Sequence, residues 1–360
     1  MKVVFRVDAS IQIGTGHVMR CLTLADALAT QGAKCEFICR EHPGNLIAYI
    51  QSKGYNVCNL SMCNNTDADP THSKWLGSTQ AQDAEACAPL LSEMQADWLV
   101  VDHYALDVRW ETALAPNYRK LMVIDDLADR QHTANVLLDQ TYGRDACDYS
   151  ELVPNNCSVW CGANYALLRP EFAALRAYSL QRRMQPELKR LLITMGGVDG
   201  NNATSRVLKC LYSSLLPEDC EITVVMGATA PWLSDVRQQA QTMPWPTKVY
   251  AGVNNMAELM AESDWAIGAA GSTSWEFCCL GLPNILICTA DNQRTVIAAL
   301  SSTNATVKLD LDELNQEDGI PFHNQFSQLR SNLRAYSMAA ARVVDGLGAS
   351  RLCAELLRCR

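Results

Sequence analysis

Positive charge is scarce in this sequence: 30 lysines and arginines stand against 39 aspartates and glutamates, for a formal net charge of −9. Proteins that bind nucleic-acid backbones need concentrated Lys and Arg, so we expect no nucleic-acid partner. A local positive pocket for one small anion remains compatible with this balance. Long apolar runs are also missing. None approaches the roughly 20 residues of a membrane span, so we expect no membrane segment.

Metal-binding spacing is missing too, although the chain has 16 cysteines. No clear Cys-x-x-Cys pair is present, and pairs such as Cys35/Cys39 have no second half-site with histidines. Many cysteines lie inside apolar runs, and the chain starts on a predicted strand rather than on a charged and then apolar leader. These features predict reduced core cysteines, no bound metal and a cytoplasmic protein.

A complete dinucleotide fingerprint is absent as well. Gly14 and Gly16 match its first two glycines, but Met19 stands where the third glycine or alanine belongs. A nicotinamide-dependent oxidoreductase, with Arg40 at the end of the second predicted strand, stays as an alternative. The first expectation is an enzyme without a cofactor.

The glycine loop that ends in His17 is the most informative feature that is present. It lies between a predicted strand at residues 3–7 and a helical pattern that begins near Val18. Backbone N–H groups and the positive end of a helix would face a ligand there, close to Gly16. Histidine is suited to moving protons near neutral pH. The alternative is a glycine turn followed by a histidine without a chemical role.

Short apolar runs alternate with helical patterns along the first half of the chain. Continuously apolar strands separated by helices predict a parallel sheet that is covered on both faces. The loops at the carboxyl ends of such strands carry the site. Besides His17, residues 102–104 with Tyr104, and Asp125 with Asp126, follow predicted strands. For Asp125 and Asp126 we favour a structural capping role.

The same order of strand, glycine loop and helix restarts in the second half. At 360 residues the chain exceeds one small core. We therefore predict an α/β fold of two facing Rossmann-like domains with the substrate cleft between them. The predicted boundaries place the histidine loop in residues 1–180 and a second domain in residues 181–325. Residues 326–360 form a helical segment that could pack on either domain, and the oligomeric state stays open.

A second glycine loop, at residues 268–271, opens a helix in the second half. Ser272 and Thr273 would add hydroxyl donors to the free N–H groups of its first turn, which makes a cradle for a diphosphate without a lysine. Glu276, one turn later, could accept two hydrogen bonds from a ribose diol. The alternative is a capping box between Thr273 and Glu276, which requires no ligand.

The carboxamides of Asn292 and Gln293 follow the next predicted strand, at residues 285–288. They could bind a sugar or a phosphate. The alternative is a capped helix start with Asp291 or Asn292 at the N-cap.

Several segments together resemble one known family, the UDP-2,4-diacetamido-2,4,6-trideoxy-β-L-altropyranose hydrolases of pseudaminic acid biosynthesis. The matching segments keep their order over about residues 1–295: residues 14–21 (GTGHVMRC), 124–130 (IDDLADR), 165–172 (YALLRPEF), 195–199 (MGGVD) and 271–293. Two positions depart from the family pattern, Ala270, which is often Gly, and Phe277, which is often Arg. Both touch the predicted diphosphate loop and its helix.

The resemblance implies a GT-B-like fold and an enzyme that removes UDP from C1 of its sugar by water attack, with inversion and C–O cleavage and without a metal. By position, His17 matches the general base of the family. Arg169, Glu276 and Asn292 match substrate-binding positions. The expected partners are therefore the UDP-sugar and UDP, and the product feeds cell-surface glycans such as those on flagellin.

Two other functional classes remain open beside the hydrolase. A GT-B glycosyltransferase would move the sugar to an acceptor instead of water. A noncatalytic sugar-nucleotide binding protein would hold UDP without turnover.

Overall fold

The computed structural model describes residues 1–63, 72–212, 214, 216–316 and 320–358. The chain forms two compact units. The first contains Met1–Leu167 together with Gly348–Arg360, and the second contains Leu168–Leu347. Each unit is built on its own sheet, and in the described residues all the strand pairs of both sheets are parallel.

The first unit has a seven-stranded sheet in the order β3-β2-β1-β4-β5-β6-β7. Its strands are β1 (Lys2–Val7), β2 (Lys34–Arg40), β3 (Asn56–Leu60), β4 (Ala96–Asp102), β5 (Tyr118–Ile124), β6 (Val136–Asp139) and β7 (Ser158–Cys161). Its helices are α1 (Gly16–Thr30), α2 (Ile47–Ser52), α3 (Gln80–Met94), α4 (Val108–Leu114) and, from the chain end, α13 (Gly348–Arg358).

Alternate side chains of these strands pack into two separate layers because successive residues of a strand point to opposite faces. Phe5 of β1 joins the core cluster that contains Leu24 of α1 and Leu352 of α13. Its neighbour Val4 joins the cluster that contains Leu91 of α3. Both faces of the sheet are therefore covered, as the continuously apolar strands predict.

The second unit has a six-stranded sheet in the order β10-β9-β8-β11-β12-β13. Its strands are β8 (Arg190–Thr194), β9 (Glu221–Met226), β10 (Thr247–Ala251), β11 (Trp265–Ala269), β12 (Asn284–Cys288) and β13 (Val307–Asp310). Its helices are α5 (Pro170–Arg182), α6 (Ala203–Tyr212), α7 (Leu233–Ala240), α8 (Met256–Glu262), α9 (Ser272–Leu280), α10 (Arg294–Ser302), α11 (Ile320–Ser331) and α12 (Leu333–Ala341).

The boundaries of the two compact units differ from the predicted domain boundaries. Most of helix α5 lies before residue 181, but the whole helix belongs to the second unit, where its Ser179 hydroxyl donates to the Leu280 carbonyl over 2.7 Å. Near the chain end, α11 and α12 stay with the second unit, whereas α13 returns to the first. Leu352 and Leu356 of α13 are fully buried there, so the burial of this apolar face decides where the helix packs.

The described cysteines are free thiols, and ten of those 15 are buried. Burial raises the pKa of several, for example that of Cys278 to about 12, with neighbouring Cys279 acting in the same direction. This agrees with the prediction of reduced core cysteines. No helix within the described ranges is long and apolar enough to cross a membrane.

Candidate functional site

The loop after β1 presents His17 at the start of α1. Gly14 adopts a φ of +81°, which favours glycine, and its N–H donates to the Ser10 carbonyl over 2.8 Å. This turn reverses the chain so that the helix begins at Gly16 with Thr15 as N-cap. The His17 side chain, which is 11% exposed, therefore lies in the first turn of α1 at the carboxyl end of the sheet.

His17 is held by Asp102, the last residue of β4. Its Nδ1 lies 2.6 Å from Asp102 Oδ1. Arg20, three residues after His17 on the same face of α1, contacts both oxygens of this carboxylate: Nη2 donates to Oδ1 over 2.7 Å and Nε donates to Oδ2 over 2.6 Å. Burial works to raise the pKa of Asp102, but the charge of Arg20 and then that of His17 hold it well below its usual range.

The contact with Asp102 decides which nitrogen of His17 carries the proton. Arg20 Nη2 also lies 3.3 Å from His17 Nδ1, but a guanidinium is only a donor. The shorter contact to a carboxylate acceptor assigns the proton to Nδ1. The lone pair of the neutral ring is then on Nε2, where it can accept a proton from water.

Asp126 and Tyr104 complete a closed network around His17. Asp126 Oδ2 accepts from Arg20 Nη1 over 2.6 Å and from the Tyr104 hydroxyl over 2.9 Å. The Tyr104 ring meets the His17 ring edge-on, with 4.7 Å between ring centroids. Burial, and next the charge of Asp126, raise the pKa of Tyr104 well above its usual value, so its hydroxyl stays a donor.

Asp125 and Asp126 have different surroundings although they are neighbours. Asp125 accepts from the Ala128 N–H over 2.9 Å and pairs with Arg130 over 2.9 Å, which is the structural role favoured from the sequence. Asp126 instead joins the network of Arg20 and Tyr104, contrary to that expectation, because Arg20 extends from α1 across the ends of β4 and β5.

Arg20 itself was missed as a member of the network. Its spacing of three residues from His17 on a predicted helix was the signal that could have found it.

His103 lies between Asp102 and Tyr104 in the sequence but points to a different cluster. Its Nδ1 accepts from the Ala105 N–H over 3.1 Å, and its Nε2 lies 3.4 Å from Asp8 Oδ2. Asp8 pairs with Arg6 over 2.7 Å, and both side chains are fully buried. The successive residues Asp102, at the end of β4, and His103, directly after it, therefore point to two different clusters.

In the second unit, the loop after β11 leads into α9 with Gly271 as its N-cap. The Ser274 hydroxyl accepts from the Gly271 N–H over 3.3 Å. Thr273 is thus the second residue of the helix rather than its cap, and the capping box of Thr273 with Glu276 does not form. None of the described residues accepts a hydrogen bond from the backbone N–H of Ser272 or Thr273. These N–H groups are available to an anion.

Glu276 lies beside Arg169 in the second unit. Arg169 Nη2 is 4.0 Å from Glu276 Oε1, and Arg169 Nη1 is 3.4 Å from Glu171. The Glu276 side chain is 17% exposed. Burial raises the pKa of Glu276 to about 7, with Arg169 working to lower it and Glu171 to raise it. Within the described part of the chain, Arg169 is the one cation within 4.0 Å of the Glu276 carboxylate, and a pKa of about 7 makes the charge of Glu276 depend on pH near neutrality.

Asn292 and Gln293 lie in a short 3-10 turn after β12. Asn292 is exposed. The Gln293 Oε1 accepts from the Thr289 N–H over 2.8 Å, so its oxygen stabilises the loop. Asn201, from the loop after β8, donates to the Thr289 carbonyl over 3.2 Å. Because β8, β11 and β12 are adjacent in the sheet, the loops that follow them share one edge of the second unit.

The two departures from the family pattern are both buried. Phe277 is fully buried, and a Cβ on Gly268 would lie 2.7 Å from its ring. Ala270 is 3% exposed, and its N–H donates to the Ile287 carbonyl over 3.2 Å. Because both side chains point into the core, they do not occupy the positions of Ser272, Thr273 or Glu276.

Among the described residues, no group of three or more His, Cys, Asp or Glu side chains is arranged to hold a metal ion. The two carboxylates of the His17 network, Asp102 and Asp126, are paired instead with one arginine, Arg20.

A known protein family and known sequences match large parts of the chain. Residues 191–342 match the glycosyltransferase family 28 C-terminal domain. The UDP-2,4-diacetamido-2,4,6-trideoxy-beta-L-altropyranose hydrolase of Campylobacter jejuni is 28% identical over 309 residues, which are 86% of this chain and 99% of that protein. The spore coat polysaccharide biosynthesis protein SpsG of Bacillus subtilis is 28% identical over 208 residues, 57% of this chain and 59% of that protein.

Solved structures agree on the fold. The crystal structure of Acinetobacter baumannii MurG has a TM-score of 0.70 at 13% identity, with 99% of each chain covered. At this identity the likeness shows the fold, which is that of the GT-B glycosyltransferases. The chain is thus a GT-B-like α/β protein that is similar over most of its length to a UDP-diacetamido-trideoxy-altropyranose hydrolase.

Proposed function

We propose that this protein is an enzyme that hydrolyses a UDP-sugar by water attack at the anomeric carbon, with inversion and release of UDP. The observation that carries the proposal is the contact of 2.6 Å between His17 Nδ1 and Asp102, which leaves Nε2 as the base. A base that is oriented through its second nitrogen is the arrangement by which a histidine activates water or a hydroxyl.

The His17 network supports one proton transfer. Nε2 takes a proton from water as the water oxygen bonds to C1 of the sugar. The bond from C1 to the diphosphate oxygen breaks, and its electron pair leaves with UDP. Asp102, held ionised by Arg20, stabilises the imidazolium until its proton passes to solvent. The charge that develops at C1 is oxocarbenium-like, and attack from the face opposite the leaving group inverts that centre.

The second unit supports binding of the leaving group. The free N–H groups of Ser272 and Thr273 at the start of α9 would stabilise the charge on the diphosphate. Glu276 would accept from the ribose hydroxyls, and Arg169 beside it would add positive charge. The amide nitrogens of Asn292 and Gln293 would donate to phosphate or sugar oxygens. Gly16, with no side chain at the start of α1, would leave room for the substrate near His17.

The substrate that we propose is UDP-2,4-diacetamido-2,4,6-trideoxy-β-L-altropyranose, with the free sugar as a precursor of pseudaminic acid. The support is the similarity to the Campylobacter jejuni hydrolase over 86% of this chain. A reaction of this kind would take place in the cytoplasm, and we propose that location.

A glycosyltransferase is the second candidate, because residues 191–342 match a glycosyltransferase domain. The same His17 network could take the proton of an acceptor hydroxyl instead of water. An experiment separates the two: the protein is incubated with the UDP-sugar alone, and UDP and free sugar are followed by NMR. Release of both at equal rates without an acceptor supports hydrolysis. Release of UDP only after an acceptor is added would support transfer.

Labelled water tests the site of attack. In H₂¹⁸O the label should enter the free sugar at C1 and stay out of the UDP phosphate. Label in the phosphate would mean attack at phosphorus, and the role proposed for His17 would be wrong.

A further inference from the structure

Three aromatic rings lie side by side next to His17, and the outermost of them belongs to a partly exposed tryptophan. We define this aromatic surface as His72, Trp75 and Tyr104. The Trp75 and Tyr104 rings are stacked, with 5.8 Å between centroids and 27° between planes. The His72 ring lies 4.5 Å from that of Trp75 and 5.5 Å from that of Tyr104. Tyr104 is the ring that contacts His17 edge-on.

The chain holds Trp75 in this position through a short 3-10 turn, Ser73–Trp75. The backbone N–H of Trp75 donates to the backbone carbonyl of His72 over 2.9 Å, which closes the turn and brings the two residues together. The next residue, Leu76, is 1% exposed and packs in the core cluster of the first unit. Leu76 therefore anchors the turn, while Trp75 keeps a partly exposed face.

Two members of this surface, His72 and Trp75, have side-chain polar atoms without a partner among the described residues, whereas the Tyr104 hydroxyl donates to Asp126. None of the described residues accepts a hydrogen bond from the Trp75 indole N–H or bonds to a ring nitrogen of His72. Burial lowers the pKa of His72, so its ring stays neutral near pH 7. The partly exposed rings of His72 and Trp75 thus offer an uncharged area with an indole donor at its edge. The third ring, that of Tyr104, is buried between them and His17, with the Arg130 guanidinium 5.7 Å from its centroid.

We propose that the aromatic surface binds the methyl groups of the sugar and that Trp75 selects a 6-deoxy sugar with acetamido groups over a sugar with hydroxyls at C4 and C6. This inference rests on the proposed function for its substrate. A 2,4-diacetamido-2,4,6-trideoxy sugar carries three methyl groups, two from the acetamido groups and C6 itself. Aromatic rings bury such groups favourably, and an acetamido carbonyl could accept from the indole N–H. A hydroxyl at C4 or C6 would lose hydrogen bonds to water against the same surface.

The first measurement is binding of the product sugar, 2,4-diacetamido-2,4,6-trideoxy-L-altropyranose, which requires no turnover. In saturation-transfer NMR with the full-length protein, the three methyl signals should receive the strongest saturation. Trp75→Ala should weaken binding about 10- to 100-fold, in the range by which a pocket discriminates single apolar groups, and Trp75→Phe should restore part of it. Trp160→Ala is the matched control, because Trp160 is also partly buried and stacked on one tyrosine, Tyr165.

The second measurement compares substrates. For the UDP-diacetamido sugar, Trp75→Ala should raise KM about 10- to 100-fold with a kcat within a few-fold of wild type, and UDP affinity should not change. For UDP-N-acetylglucosamine the variant should bind no worse than wild type, so the discrimination between the two sugars shrinks. A purely structural tryptophan would instead lower the melting temperature and leave the ratio of the two KM values unchanged.

The outcomes separate the inference from the proposed function. Methyl contacts that depend on Trp75 in a protein that releases no UDP would uphold the inference and overturn the hydrolase. Two results would overturn the inference and leave the hydrolase standing. The first is hydrolysis without saturation of the methyl signals. The second is hydrolysis in which Trp75→Ala and Trp160→Ala change the methyl saturation and the ratio of the two KM values to the same extent.

Discussion

His17 and Asp102, 85 residues apart in the sequence, meet over 2.6 Å at the adjacent ends of β1 and β4. The Asp102 carboxylate has two effects on His17. It assigns the proton of the neutral ring to Nδ1, and it supplies the charge that would stabilise an imidazolium. Arg20 keeps that carboxylate ionised and oriented by two hydrogen bonds. The chemistry proposed for His17 therefore depends on three residues rather than one.

Removal of the base should abolish most of the turnover. We expect His17→Asn to lower kcat by roughly 10²–10⁴, the usual contribution of general acid–base catalysis. UDP affinity, measured by calorimetry, should be nearly unchanged. His323→Asn, in α11, serves as the control. A folded His17→Asn protein with full activity would rule out the assignment.

Asp102→Asn should keep much of the shape but reverse the preferred tautomer, because an amide can donate to Nδ1. We expect a loss in kcat of the same order as for His17→Asn, and no further loss in the double variant, since both changes remove one function. If the two losses multiply in the double variant, Asp102 acts independently of His17.

Acid should destabilise the first unit through its buried aspartates. Arg6 and Arg20 hold the pKa values of Asp8 and Asp102 below their usual range against the effect of burial. A lowered pKa means that the unfolded chain binds protons first, so this stabilisation is present above about pH 4 and is lost as pH falls further. Asp8→Asn should cost about 1.5–3 kcal/mol at neutral pH, the range for hydrogen bonds to charged groups, because Arg6 loses one of its two carboxylate partners and keeps Asp83.

The same Asp8→Asn variant should lose less of its remaining stability on acidification than wild type. Denaturant unfolding at a series of pH values measures both effects. Parallel curves for the two proteins would show that Asp8 does not carry the acid sensitivity.

Glu276 should control UDP binding and its pH dependence. Glu276→Gln should weaken UDP binding by about 1–3 kcal/mol, the range for hydrogen bonds to a charged group. Burial raises the pKa of Glu276 to about 7, above its unfolded value. Its contribution to stability is therefore full below about pH 4 and is lost as pH rises through 7. The variant should be at least as stable as wild type at pH 8.

Titration calorimetry and thermal melts at pH 5.5 and pH 8 test this, with Glu258→Gln in α8 as the exposed control. Wild-type affinity for UDP should increase between these pH values, because the ribose diol donates to the ionised carboxylate. Lower stability with unchanged UDP affinity in Glu276→Gln would mean a structural role instead.

Gly268 should tolerate no side chain, because β11 and α9 approach each other there. A Cβ would lie 2.7 Å from the Phe277 ring and 3.1 Å from the Thr194 carbonyl oxygen. We expect Gly268→Ala to cost about 1–3 kcal/mol, as overpacking does. Adding Phe277→Leu should recover part of the loss. Gly200→Ala is the control, since nothing lies within 4 Å of its added Cβ. Equal unfolding free energies for the two alanine variants would contradict the packing argument.

UDP release should continue in the presence of a chelator. The proposed leaving-group site uses the N–H groups at the start of α9, which supply positive potential. Rates are measured in EDTA and after addition of Mg²⁺. Activity that disappears in EDTA and returns with Mg²⁺ would require a metal-dependent mechanism. That result would favour the glycosyltransferase over the hydrolase.

The sequence by itself determined which segments become strands and where the loops that follow them lie. Residues 3–7 are apolar except for Arg6, and residues 191–193 are apolar throughout. Both segments therefore predict buried parallel strands, and β1 and β8 form there. The place of His17 in a glycine loop follows from the same local pattern. Strands β3, β7 and β13 were missed because they are short and mix polar with apolar residues, as in Asn56–Leu60.

Only the tertiary structure decided the partners of these residues. Strand order places β4 beside β1 and so brings Asp102 to His17, and neither local propensity nor periodicity carries that information. The start of α9 at Ser272, one residue before Thr273, excluded the capping box, because a shift of one position changes which N–H groups are free. Likewise α13 joins the first unit because its apolar face is buried there, a choice that depends on surfaces contributed by residues far away in the chain.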